Sequence, residues 1–292
     1  QLIVFSGPIM LANLLQTSYQ FVDSLWIGNL LGAEALGAVT VSGVIVFTVL
    51  SFVIGLNNAA LTILSQQKGR DDQEGLKRYL NAFVVILLIM AILLSIFGFF
   101  LSEFLLHLLG TPQEMMAGAT AYLQINFVGI LFLFGYNFIS TVLRSLGDSK
   151  TPLRFVGMAV ILNIVFDPLF ISGFGWGIEG AALATITAQG LAFIYGFWYV
   201  LRRKLAPFTI PTLPEWGEVK LILNLGIPSG LQMSVISAGS AAIMSVVTVF
   251  GGAVVGGFGA AQRIDSIIML PAQALGTAVK SMAGQNIGVQ NW

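Results

Sequence analysis

Long apolar runs separated by short polar connections occupy almost the whole chain. None alternates with the two-residue period of a barrel strand, and each is long enough for a membrane helix. The pattern predicts eight spans, near 2–28, 35–65, 79–101, 115–142, 153–172, 178–201, 221–249 and 256–283. Two starts carry local signals. Thr111-Pro112-Gln113-Glu114 reads as an N-cap, a proline at the first helical position and a capping-box acid, and Thr151-Pro152 repeats the cap and proline.

Composition agrees with the pattern. Of 292 residues, 57% are hydrophobic and 9% charged, against about 25% charged in soluble domains. The fold class expected is all-α and integral to the membrane, a polytopic helix bundle. A formal net charge of zero argues against nucleic acid as a partner, and the lack of cysteine excludes disulfides and thiolate metal sites. The chain opens at Gln1 within an apolar run and without a basic leader, so no signal peptide is expected and the native start is expected upstream.

The charges are segregated. Lys68, Arg70, Lys77 and Arg78 lie between spans two and three; Arg144, Lys150 and Arg154 between four and five; Arg202, Arg203, Lys204 and Lys220 between six and seven. These are 11 of the 13 basic residues, and the alternate connections hold none. The positive-inside rule then places the N-terminus and all three basic loops in the cytoplasm, with the protein a multi-pass component of the inner (plasma) membrane.

Proline-punctuated 204–218 reads as a linker between a six-helix unit, 1–203, and two further helices, 219–292. Beyond it the sequence faintly repeats. A shift of 220 places Pro8 on Pro228, Gly32 on Gly252 and Gly37 on Gly257; a shift of 219 places Gln66-x-x-Gly69 on Gln285-x-x-Gly288. Repetition at a fixed offset is a signature of transporters built from two like-oriented halves. If the halves are equal, roughly 130 residues of the second are expected beyond Trp292.

Against this apolar background Leu162-Asn163-Ile164-Val165-Phe166-Asp167-Pro168 stands out. Asn163 and Asp167 are four apart and share a helix face. Pro168 cannot donate to Ile164, so a bend and a free carbonyl are expected beside the carboxylate. An acid deep in a membrane helix costs about 2.5–3.5 kcal/mol on insertion scales, so it ordinarily faces a wet cavity or a partner. Counting from the helix ends, Asp23, Asp167 and Thr185 all fall within about 10 Å of the outer loops. Tyr19 lies one turn below Asp23, and Gln189 one turn below Thr185. The expectation is one pocket in the outer half of the first unit.

Two carboxylates in one poorly hydrated pocket do not both ionise readily, and they titrate jointly. A cationic substrate or Na⁺ would compete there with protons, which is a physical basis for exchange. Blander readings exist for each residue: Asp23 as a helix-end cap, Asp167 as a structural hydrogen-bond partner, Thr185 as a helix-contact residue. Arg263 and Asp265 read as lining the cleft between halves or pairing with further helices. Gly175-x-Gly177-x-x-Gly180 fits a dinucleotide fingerprint but lies in a short turn with no strand, so a tight turn is expected. His107, beside Glu103, reads as interfacial. With no metal-protease motif, nucleophile elbow or P-loop, an enzyme is not expected, nor is a cofactor.

Several stretches resemble the multidrug and toxic compound extrusion (MATE) family, most closely its DinF-like bacterial branch. They are Asp23-Ser-Leu-Trp-Ile-Gly28-Asn-Leu-Leu-Gly32-Ala-Glu-Ala35-Leu-Gly, Leu143-Arg144-Ser-Leu-Gly147-Asp148-Ser-Lys150-Thr-Pro152, Gly180-Ala-Ala-Leu-Ala-Thr185, and Pro271 through Gly284-Gln285-Asn286-Ile-Gly288. The resemblance implies twelve helices in two six-helix lobes, of which this chain would hold a whole N-lobe and an incomplete C-lobe. It implies a monomer that exports small-molecule drugs or organic cations across the lipid bilayer in exchange for H⁺ or Na⁺. It implies a cation site at Asp23, Asn163, Asp167 and Thr185, and bending of the first helix at Pro8. Proton-coupled multidrug antiport is the leading expectation, with Na⁺ coupling second. A lipid-linked oligosaccharide flippase would line its cavity with Arg and Lys, which the first six spans lack apart from Arg154 at the very start of the fifth, and a scaffold would not need two acids and an amide at one depth.

Overall fold

The computed structural model describes residues 1–250 and 252–290, apart from some side chains between 241 and 263. Its elements are helices: α1 (Leu2–Leu31), α2 (Ala33–Gly69), α3 (Gln73–Leu108), α4 (Gln113–Val128), α5 (Ile130–Ser145), α6 (Lys150–Pro168), a π-helical turn (Leu169–Gly173), α7 (Gly177–Arg203), α8 (Trp216–Thr248) and α9 (Gly252–Gly288). Among the described residues six of these are long and apolar enough to cross a membrane, and the pair α4–α5 makes a seventh if taken as one span. The eighth expected span lies within α9, a helix that carries Arg263, Asp265 and Lys280 and is not among those seven. The expected membrane helix bundle is what the chain forms.

The fourth expected span, 115–142, is not one straight helix. It breaks at Gly129 and bends by 51°. The break faces another helix: a Cβ on Gly129 would stand 2.5 Å from Ile186 of α7, whose side chain occupies the notch. Both anticipated caps also move. Pro112, not Thr111, is the N-cap of α4, while the Thr111 hydroxyl donates to Leu106 O at 2.7 Å and closes the end of α3. At α6 the cap is Ser149, and the capping acceptor is Asp148, whose Oδ1 takes the backbone N–H groups of Lys150 (3.0 Å) and Thr151 (2.9 Å).

Helix α2 is the axis of packing. Its 37 residues span about 55 Å, and it lies against α3, α4, α5, α8 and α9. Against α8 the contact is made of small residues four apart. Ser51 and Gly55 meet Gly226, Gly230 and Ser234, and the Ser51 and Ser234 hydroxyls are 3.1 Å apart. A Cβ on Gly55 would overlap the backbones of Gly226 and Gly230, so only glycine lets these helices approach so closely. The same contact occurs a second time. A shift of 219 carries Gly55 and Ala59 onto Ala274 and Ala278, and those two alanines are buried against Ile9 of α1. The repeated Gln-x-x-Gly segments meet each other, with Gly69 on the Gln285 backbone and Gly288 on the Gln66 carbonyl. The faint sequence repeat is therefore also a repeat of contacts.

The connection after α7 is anchored. Lys204 takes the left-handed conformation (φ 51°) that ends α7. The Asn81 amide then holds Thr212 at both backbone groups, each at 2.9 Å. Glu215 and Glu218 form a capping box at the start of α8, with Glu218 3.7 Å from the Arg78 guanidinium.

Candidate functional site

Each acid of the site is placed by an irregularity or a crossing. Pro168 removes a backbone donor, and directly after it α6 widens into the π turn Leu169–Gly173, a distortion common at functional sites. The turn is pressed onto α7 at Gly180, where a Cβ would lie 2.7 Å from Phe170 O. Stacked Phe166 and Phe170, 5.3 Å apart, cover it. Gly175 and Gly177 have φ of 69° and 59°, so the Gly-x-Gly-x-x-Gly run is the expected tight turn. Asp23 sits in α1 about two turns before Leu31, inside the helix rather than capping its end.

The cluster expected from depth is assembled. Asp167 is fully buried and Asn163 is 3% exposed. The Asn163 amide donates to Asp167 Oδ1 and to Thr185 Oγ1, each at 3.3 Å, and the Thr185 hydroxyl donates to Ala181 O at 3.2 Å. Asp23 and Asp167 are close enough to act on each other electrostatically, and Tyr19 and Gln189 share the wall of one cavity. Beneath them is a cavity of about 10 Å³, lined by Gln16, Tyr19, Tyr136, Asn163, Thr185 and Gln189 among others. That is about the space one water needs, and far below the roughly 300–1,000 Å³ of an organic ligand's pocket. Tyr19 and Gln189 therefore line a water-sized space here.

The chemistry follows from what is left unmet. Asp23 Oδ1, Asp167 Oδ2 and Asn163 Oδ1 are buried acceptors with no donor. Three orphaned oxygens in one place, with no basic side chain bonded to them among the described residues, call for an electrophile. A proton between the carboxyls supplies the missing donor, and Na⁺, which takes oxygen ligands, suits the same set. Sequence reasoning missed Tyr136 and Gln16, which line the cavity. A tyrosine in an apolar helix gives no signal of which way it faces.

The remaining candidates lie elsewhere. His107 is exposed and 3.8 Å from Glu103. Asp265 is exposed on α9, and the Arg263 side chain lies outside the described residues. Pro8 is inside α1, far from the acids along the helix.

A buried carboxylate pair inside a bundle of membrane helices, bordered by a proline-linked π turn, marks a polytopic membrane protein with an acidic site inside the bundle. Comparison with known proteins narrows the class. The MatE family pattern matches residues 8–169 and 228–292, and the chain belongs to that family. It is 66% identical over 291 residues to a probable multidrug resistance protein, YpnP, of Bacillus subtilis (strain 168), covering 100% of this chain and 65% of that protein. It is 25% identical over 296 residues to an FAD transporter of Shewanella oneidensis, covering 98% and 65%. Among solved structures, a MATE protein in complex with MaD3S superposes with a TM-score of 0.93 at 26% identity, covering 99% of this chain and 66% of that one. The chain thus spans about two thirds of the length of these relatives.

Proposed function

We propose that the chain is part of a secondary antiporter that exports small organic compounds, many of them cationic, in exchange for inward H⁺. The observation that carries this is the trio of orphaned buried acceptors, Asp23 Oδ1, Asp167 Oδ2 and Asn163 Oδ1. Removing two carboxylates from water without a counter-charge costs several kcal/mol per ion, so the pair holds a proton or a cation whenever it is closed off. Asp23 and Asp167 carry the exchanged ion, Asn163 and Thr185 fix the second acid, and Tyr19 and Gln189 border the water beneath. Pro8 and Pro168 are the places where α1 and α6 yield as the site loads and empties. Relatives that include a multidrug resistance protein and an FAD transporter fit an organic cargo bound outside this small cavity. The cargo site is the cleft between a first lobe, 1–203, and a second that begins at 219.

The same oxygens suit Na⁺, and that is the second reading. In either case the basic loops face the cytoplasm and the acid pair sits toward the outside. Efflux from vesicles carrying the full-length protein, driven by a pH gradient or a Na⁺ gradient imposed separately, decides between them. Efflux on the pH gradient alone supports H⁺; efflux only on the Na⁺ gradient replaces it. No response to either gradient removes antiport.

A further inference from the structure

At the basic end of α7 a concave site of about 430 Å³ is lined by Tyr195, Trp198, Tyr199, Arg202 and Arg203. Each guanidinium lies over a ring, Arg202 at 5.1 Å from the Trp198 centroid and Arg203 at 5.8 Å from that of Tyr199. Two of the three rings are held by a buried neighbour. Phe155 of α6, 2% exposed, meets Tyr195 and Tyr199 edge-on at 5.9 and 6.1 Å. Among the described residues no carboxylate is within ion-pairing distance of either arginine, and no carboxylate lines the site. A guanidinium held over an aromatic face, with no carboxylate bonded to it, keeps N–H donors free for the fork that matches a phosphate.

What runs up to this pair identifies the occupant. Leu191, Ile194, Trp198 and Leu201 are 40%, 57%, 51% and 44% exposed. Their spacing of three or four residues puts them along one side of α7, ending at the two guanidiniums. An apolar track that finishes in a paired phosphate fork has the shape of an anionic phospholipid. Its acyl chain lies along Leu191 and Ile194, its glycerol region on Trp198, and its phosphate between Arg202 and Arg203. A free phosphate would leave the track uncovered. We infer that this face of α7 is a binding site for an anionic phospholipid of the cytoplasmic leaflet, which fastens the end of α7, and so the start of the 204–218 connection, to the membrane surface. The inference rests on the orientation proposed above, because the negative leaflet is the cytoplasmic one.

The test is native mass spectrometry of the full-length protein released from vesicles of equal phosphatidylglycerol and phosphatidylcholine. Wild type is expected to retain phosphatidylglycerol preferentially. Replacing both arginines (Arg202→Ala with Arg203→Ala) is expected to reduce that preference roughly 30-fold, from about 1 kcal/mol per basic residue at an anionic surface. The pair Arg202→Lys and Arg203→Lys keeps the charge but loses the fork, and most of the preference should go with it. Equal retention of both lipids by wild type overturns the site, as does a lysine pair that binds like wild type. Displacement of the lipid by millimolar inorganic phosphate assigns the fork to a free anion and also overturns it. The orientation is checked separately on a Glu74→Cys variant, because Glu74 is exposed in the first turn of α3, at the basic connection from α2, and residues 1–292 contain no cysteine of their own; the unsubstituted protein is the labelling control. Labelling of Glu74→Cys from outside the cell, with the lipid preference intact, would refute the orientation and with it the cytoplasmic leaflet, while the phospholipid preference of this face of α7 would stand.

Discussion

Gly55 and Gly43 lie on the same helix, α2, and make a matched pair in which packing and propensity oppose each other. Replacing a helical glycine by alanine gains about 1 kcal/mol of helix propensity. At Gly43 nothing lies within 4 Å of the added methyl, so Gly43→Ala should stabilise by most of that amount. At Gly55 the methyl lands on the backbones of Gly226 and Gly230, which have no side chain to swing aside. Helix α8 must back away, and the contact running from Ser51 to Ser234 loosens with it. Overpacking of this kind costs about 1–3 kcal/mol. After the propensity gain, Gly55→Ala should destabilise by up to about 2 kcal/mol, and Gly55→Leu by more. Thermal unfolding in detergent, followed by fluorescence and by loss of the monodisperse peak, reads the difference. At about 2–4 °C per kcal/mol for a chain of this order of size, the two alanine variants should fall on opposite sides of wild type, several degrees apart. Equal midpoints, or a Gly55→Ala protein more stable than Gly43→Ala, would mean the α2–α8 contact is not as close as described.

Two further outcomes follow from the packing. Asn81→Ala removes both bonds to Thr212, together about 1–3 kcal/mol of local anchoring, and should make the bond after Lys204 markedly more sensitive to trypsin; unchanged cleavage would show that the connection is held by something else. Ser65 and Gly284 face each other across α2 and α9, with the built Cβ of Gly284 2.7 Å from that of Ser65, close enough for a disulfide after a small adjustment toward about 3.8 Å. Ser65→Cys with Gly284→Cys should cross-link under oxidation and stop transport until reduced, whereas full transport by the cross-linked protein would mean this contact never opens.

Much of the site was legible because its residues break the apolar pattern. Asn163, Asp167 and Pro168 are polar or helix-perturbing in a run that is otherwise apolar, and a spacing of four fixes a shared face. Counting from helix ends then pointed to Thr185 as a neighbour of that face, and its hydroxyl does take the Asn163 amide. What escaped depends on partners distant in sequence. Gly129 looks like any glycine in a membrane helix until Ile186 arrives to fill its notch. Asn81 holds a residue 131 positions away, and nothing near either one announces it. Ser51, Gly55, Gly226, Gly230 and Ser234 carry a readable small-residue spacing, but not the choice of partner helix. The caps at Thr111 and Thr151 were misplaced by one or two residues: Thr111 closes the preceding helix instead, and at α6 the acid Asp148, three residues before Thr151, takes the capping role.

The claim on which the account depends is that Asp23 and Asp167 share a proton that another cation displaces. Proton release on adding Na⁺ or a lipophilic organic cation, such as tetraphenylphosphonium, to purified full-length protein in weakly buffered detergent tests it most directly. Wild type should release protons as the cation binds, and Asp23→Asn and Asp167→Asn should release few or none while remaining folded. Release undiminished in both variants, or cation binding by wild type with no proton released, would contradict the account.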